Sequence, residues 1–240
     1  MIDWLRRSTE DPAVRIGERE LPLAIRRHPR ARRLVMRLAP DGSEVRITLP
    51  KWGRTEDALV FARARIEWLE RQLAAVPRPQ APRPGGTLRY RGAELAIDWD
   101  QAYPRKTSLE DDRVRIGGPE ANLGARLQRW LESEAQRLLE DDLAFYCARA
   151  GHEAPPLRLS RAQRRWGSCS DRKAIRINWR LIQAPDFVRR SVVAHEVAHL
   201  THFDHSPAFH ALLAALFEGD VKAADRWLRA EGRSLYATFG

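Results

Sequence analysis

Pro185-Asp186-Phe187-Val188-Arg189-Arg190-Ser191-Val192-Val193-Ala194-His195-Glu196-Val197-Ala198-His199 decides how the rest of the chain is read. Pro185-Asp186 opens a helix, since proline is tolerated in a first turn and aspartate favours the positive end of the helix dipole. Val188, Val192, His195 and His199 then recur at helical spacing, so one stripe runs from apolar packing into two imidazoles. Side chains four residues apart lie one above the other, about 5–6 Å between Cβ atoms. That spacing lets both rings converge on one Zn²⁺ at about 2.0–2.1 Å. Glu196 points beside such a metal and not at it, where a carboxylate can take a proton from a zinc-activated water and pass it to a leaving group.

A catalytic zinc usually takes a third protein ligand and keeps one position open. The candidates just downstream are His202, His205 and His210. His202 lies seven residues beyond His195, about 10.5 Å along a helix axis, which is too far for the two rings to meet easily. His205 follows Phe203-Asp204, where the chain can turn back, and Ser206-Pro207 offers the start of another helix. His205 is therefore the expected third ligand. Its spacing from His195 equals that of the metzincin pattern HExxHxxGxxH. His202 stands at the glycine position, however, and the only methionines are Met1 and Met36, so no downstream Met-turn exists.

Outward from this helix, two more are expected near 206–217 and 221–231. Upstream, residues 157–160 and 174–178 read as strands flanking a turn-like Trp166-Gly167-Ser168-Cys169-Ser170. Residues 122–150 form a long helical stretch through Leu123, Leu127, Leu131, Ala135, Leu138 and Leu139. Short strands are expected at 88–90, 94–98 and 113–116. The amino-terminal part reads as strands at 21–25, 33–38 and 44–49, with Asp41-Gly42 as a hairpin turn. A single amphipathic helix capped by Thr55 follows, over 55–73. The proline- and glycine-rich segment 76–86 is the linker candidate. It suggests an amino-terminal strand and helix module, 1–80, and a hydrolase domain, 81–240, unless the two form one continuous domain.

The chain has 240 residues, 43% of them hydrophobic, enough for a sizeable core. Met1 to Glu10 already holds Asp3, Arg6 and Arg7, and the longest clean apolar run is 211–217. Neither a signal peptide nor a membrane span is read, and a cytoplasmic protein is expected. Cys147 and Cys169 are too few for a disulfide scaffold and lack CxxC spacing. The net charge of +10 is carried almost wholly by arginine spread along the chain, with only Lys51, Lys106, Lys173 and Lys222 as lysine. Dedicated nucleic-acid binding is not expected from that pattern, and no feature sets an oligomeric state.

Several linked motifs also resemble a known family. They are Arg164-Arg165-Trp166-Gly167-Ser168-Cys169-Ser170, Ile175-Arg176-Ile177-Asn178-Trp179-Arg180-Leu181-Ile182, Pro185, His195-Glu196-Val197-Ala198-His199-Leu200 and His205-Ser206-Pro207-Ala208-Phe209. In this order they resemble the YgjP-like predicted metal-dependent hydrolases, related to zincin-type metallopeptidases, over nearly the full chain. The resemblance implies an α+β fold with a zincin-like core, its active-site helix packed on a small antiparallel or mixed sheet. It also implies zinc, or another divalent transition metal, on His195, His199 and His205. His210 stands where the family usually has tryptophan, and is expected to alter packing behind the site.

Two substrates are implied. For a peptide, strand 174–178 could act as an edge that pairs with extended substrate, with Asn178 or a nearby amide steadying the oxyanion. For a nucleoside triphosphate cut by pyrophosphatase chemistry, Arg158, Arg161, Arg164 and Arg165 form a basic run suited to phosphate. Trp166 reads as a packing residue, and Cys169 as structural. A metal-dependent hydrolase, foremost a peptidase with Glu196 as general base, is the leading expectation. A non-catalytic basic binding module is the reading of another class, and Glu196 argues against it.

Overall fold

The computed structural model describes residues 12–76 and 80–239; the expectations for residues 1–10 and for Pro77 to Pro79 of the linker lie outside them. The chain divides into two compact units, Met1–Pro77 and Arg78–Gly240. Among the described residues no helix is long and apolar enough to cross a membrane.

In the first unit, β1 (Ala13–Ile16), β2 (Arg19–Arg27), β3 (Val35–Leu38) and β4 (Val45–Leu49) form one sheet in the order β1-β2-β4-β3. β4 shows the two-residue period of a half-buried strand: Val45, Ile47 and Leu49 are buried, Arg46 and Thr48 less so. Asp41-Gly42 does turn the β3–β4 hairpin, with Gly42 at φ +71° and the Asp41 carboxylate accepting from the Ser43 amide at 3.1 Å. The expected single helix is two, α1 (Thr55–Arg63) and α2 (Ile66–Ala74), because Arg65 leaves helical geometry at φ −128° and ψ 25°. Thr55 is not the cap. Arg54 holds that extended position, and its amide donates to the Asp57 carboxylate at 2.9 Å.

The second unit begins with β5 (Thr87–Tyr90), β6 (Ala93–Asp100), β7 (Ser108–Glu110) and β8 (Arg113–Gly117), in the order β5-β6-β8-β7. The long helix α3 (Leu123–Arg149) follows. It buries Leu123, Leu127, Leu131, Ala135, Leu139 and Leu143, a strict four-residue stripe, and then Tyr146 and Cys147. Each fully buried leucine side chain on that stripe stabilises by about 1.5–3 kcal/mol. Three short strands come next: β9 (Leu157–Ser160), β10 (Gly167–Cys169) and β11 (Ile175–Asn178). Their order is β10-β11-β9, antiparallel between β10 and β11 and parallel between β11 and β9. The expected turn at 166–170 is thus partly a strand. β11, expected as an edge, is central and hydrogen-bonded on both sides.

A 3₁₀ turn (Trp179–Gln183) leads into α4 (Asp186–Ala198), which is followed by α5 (Pro207–Leu216) and α6 (Val221–Glu231). The protein is therefore mixed α+β, with small mixed sheets and packed helices. α4 is the central helix of this half: it packs on α3, α5, α6, β10 and β11. Its start is anchored by charge. Arg189, 3% exposed, donates from Nε to Asp142 of α3 at 2.8 Å and from another nitrogen to Asp186.

Burial pushes the Asp142 carboxyl up even beside Arg189, so the pair adds little net stability, yet its loss would leave the buried guanidinium with Asp186 as its remaining ion-pair partner. Asp142→Ala is expected to lower unfolding stability by about 1–3 kcal/mol, read from urea denaturation. A loss below about 1 kcal/mol would remove this anchor from the account.

Candidate active site

Pro185, in extended geometry at φ −54° and ψ 146°, caps α4 and starts the apolar stripe of Val188 and Val192 that carries His195 inward. α4 ends at Ala198, and His199 is its C-cap, still in helical conformation. Beyond it the chain turns through residues 200–205 and re-enters a helix at Ser206. The Ser206 hydroxyl accepts from the Phe209 amide at 3.4 Å, and Pro207 sits in the first turn. That cap fixes where Phe209 falls. Fully buried, its ring lies 5.0, 4.6 and 4.8 Å from the rings of His195, His199 and His205. It is the floor on which three imidazoles rest.

The three rings converge. His195 Nε2 lies 3.2 Å from His199 Nε2 and 3.2 Å from His205 Nε2, and one ligand atom from each of the three lies within 4.8 Å of the others. Tetrahedral ligands at 2.0–2.1 Å from a zinc ion stand about 3.3 Å apart, so this spacing fits the metal. The proton positions fit as well. His199 Nδ1 faces the His202 carbonyl at 2.9 Å, and a carbonyl only accepts. Nδ1 therefore carries the proton and Nε2 turns a lone pair into the cluster, the usual arrangement by which a carbonyl orients a ligand histidine. Burial, and then the neighbouring His199, His205 and His210, push His195 down to about 4, so it is neutral at pH 7. His202 takes part through its backbone; its ring is not in the cluster.

Glu196, 6% exposed, lies on the same helix turn with its carboxylate against β10. Burial pushes it up to about 7, opposed by a hydrogen bond from the Cys169 amide and by the charge of Arg165. Gly167 explains the glycine of the Trp-Gly-Ser-Cys motif. A Cβ there would lie 2.4 Å from Glu196 Oε1 and 2.6 Å from its Cγ, so only glycine lets the strand pass the carboxylate. Gly167→Ala is expected to displace Glu196 and to lower by roughly 10²-fold any turnover that depends on its carboxylate, while metal uptake by the three histidines stays unchanged. Wild-type turnover in that variant would refute the tight fit.

β10 is an edge strand. The Trp166 carbonyl accepts from the Asn178 amide at 2.7 Å, and the Ser170 amide donates to the Ala174 carbonyl at 3.0 Å. By the alternation of an antiparallel ladder, the main-chain groups of Gly167 and Cys169 face away from β11. A cleft of about 600 Å³ borders His195 and Glu196, with Trp166, Val192, Leu213, Ala214, Val221 and Leu228 among its walls.

Other expected residues fall differently. Asn178 is fully buried; its amide nitrogen donates to the Ala162 carbonyl at 2.8 Å, and its oxygen accepts from the Arg180 amide at 3.1 Å. It holds the turn after β11 and does not reach the cleft, which corrects the oxyanion role expected for it. Arg164 and Arg165 are exposed, and only Arg165 acts on Glu196 electrostatically. His210 is not behind the site: it lies on the cleft wall, its ring 6.3 Å from that of His205. Trp166 packs on Gly232, where a Cβ would come within 2.9 Å of its ring, and lines the cleft too. Cys169 is a free thiol, raised above its ordinary pKa first by burial and then by Glu196, and so is not primed as a nucleophile. The role of Phe209 escaped the sequence reading, although Ser206-Pro207 signalled a helix start three residues earlier.

The three-histidine cluster thus stands beside a buried glutamate. The model of the YgjP-like, metallopeptidase domain matches residues 32–231, and the chain belongs to this family. Membership suggests a metal-dependent hydrolase. No curated protein and no solved structure shows a significant match to the chain.

Proposed function

We propose that this protein is a zinc-dependent peptidase with a zincin-like core, in which His195, His199 and His205 hold the metal and Glu196 is the general base. The observation that carries the reading is the convergence of three imidazole Nε2 atoms beside a carboxylate that abuts an edge strand. Bound there, zinc would supply Lewis acidity, lowering the pKa of water towards 7 and polarising an acceptor carbonyl. Phe209 and the His202 carbonyl hold the rings in register for that ligand.

The residues of the chain divide the remaining work. Glu196 accepts the proton of the attacking water and returns it to the leaving amide nitrogen. The Cys169 amide keeps the carboxylate aimed, and Gly167 leaves room for it. The outward main-chain groups of Gly167 are free to pair with an extended substrate by strand addition. That role passes to β10 from β11, whose two sides are already bonded. The mainly apolar cleft suits a hydrophobic substrate side chain better than a phosphate.

Nucleoside triphosphate hydrolysis is the second reading, favoured by the charge of Arg165 near Glu196. Peptides and nucleotides screened in parallel against wild type and Glu196→Gln separate the two. Glu196-dependent cleavage of peptides is expected. The peptidase reading fails if only nucleotides yield Glu196-dependent product.

A further inference from the structure

A cavity of about 880 Å³ in the carboxy-terminal unit shares no lining residue with the catalytic cleft. It lies where the amino-terminal turns of α3 meet the segment between β6 and β8, and its walls carry Arg105, Lys106, Arg126 and Arg129. Two of these cations come close to one another. An ideal Cβ on Gly118 would lie 2.7 Å from Arg126 Nη1 and 3.3 Å from Arg105 Cγ, so both side chains crowd the same glycine.

The charges there are uncompensated. None of the four cations is in an ion pair among the described residues, whereas nearby Arg115 binds Asp98 and Glu110, and Arg137 binds Glu134. Glu134, the one acidic wall residue, is already engaged by Arg137 at 2.8 Å and by the Tyr90 hydroxyl at 2.8 Å. Both terminal nitrogens of Arg126 are shielded from solvent, yet neither makes a hydrogen bond within the protein. Shielded donors on a cation are costly without an acceptor, and such donors in native proteins call for an explanation. Asn122, the N-cap of α3, also borders the cavity, placing the positive end of a 27-residue helix beside it.

We propose that this cavity is a binding site for a phosphate-bearing small molecule. Arg105 and Arg129, both exposed, offer planar forks that take two phosphate oxygens each, Lys106 adds a point charge, and the shielded Arg126 guanidinium adds positive charge behind them. Trp130, also on the wall, rests against Tyr90 with ring centroids 5.2 Å apart and presents an aromatic surface to a nucleobase. The site stands apart from the proposed peptide cleavage and does not depend on it.

Calorimetric titration of inorganic pyrophosphate and of ADP into the full-length protein, with chelator present to keep metal out of the catalytic site, tests this. Saturable binding of about one equivalent is expected, weakening as salt is added. Arg105→Gln/Arg129→Gln, at two exposed positions whose loss leaves the core intact, should lower the affinity at least tenfold. ADP binding tighter than pyrophosphate would assign the base to Trp130, and equal affinities would assign the phosphate alone; either upholds the site. Absence of saturable binding to wild type overturns the proposal. So does full affinity in the double variant, or a loss seen instead in Arg164→Gln/Arg165→Gln, which would place the anion at the catalytic cleft.

Discussion

Glu196→Gln is expected to reduce peptide turnover by roughly 10²–10⁴-fold, the share that a positioned general base contributes. The substitution keeps size and burial but removes the basic oxygen that would take the proton. Glu196 lies beside the three imidazoles and not among them, so zinc content should stay at the wild-type level. The Cys169 amide can still donate to the glutamine oxygen, and Gly167 still clears the side chain. The fold should therefore persist, which circular dichroism would check. Steady-state kinetics with elemental analysis on the same preparation reads both halves of the prediction. Unchanged turnover would take the base assignment away; lost zinc would move Glu196 into the ligand set.

Removing a ring nitrogen from the cluster has the other large effect. His205→Ala is expected to weaken zinc by at least 10²-fold and to abolish turnover with it, because two imidazoles on one helix leave the ion short of a ligand. His202→Ala is the informative contrast. Only its carbonyl is used, accepting from His199 Nδ1, and alanine keeps that carbonyl. The variant should bind zinc within a few-fold of wild type. A competition titration against a chromophoric chelator gives both affinities. The reverse ranking, with His202→Ala losing the metal, would mean that the turn after α4 is arranged differently in solution.

Much of this centre was legible from residues close together in sequence. The four-residue spacing of His195 and His199 needs only helix geometry, and the turn read at Phe203-Asp204 favours His205; α4 already ends at Ala198, so it is the turn and not distance along a helix that sets His202 apart. The Ser206-Pro207 start of α5 was read from local capping chemistry for the same reason. What escaped depends on distant partners. Gly167-Ser168-Cys169 has weak strand propensity and just three residues, and it is a strand because β11 pairs with it. That pairing also makes β11 central, which no local pattern announces. Asn178 looked like a polar residue on a strand end; packing under Ala162 and Tyr236 buries it. In the amino-terminal unit the apolar period runs unbroken through 55–73, while a departure at Arg65 splits the helix in two. The cations of the second cavity stand about twenty residues apart, on a loop and on α3, so only the fold brings them together.

We propose that three histidines of this chain hold a single metal ion needed for hydrolysis. Zinc titration into chelator-stripped wild-type protein, followed by calorimetry, tests it most directly. Saturation at about one equivalent per chain is expected, with that binding lost in His195→Ala. No zinc uptake by wild type, or the same uptake by His195→Ala, would contradict the account.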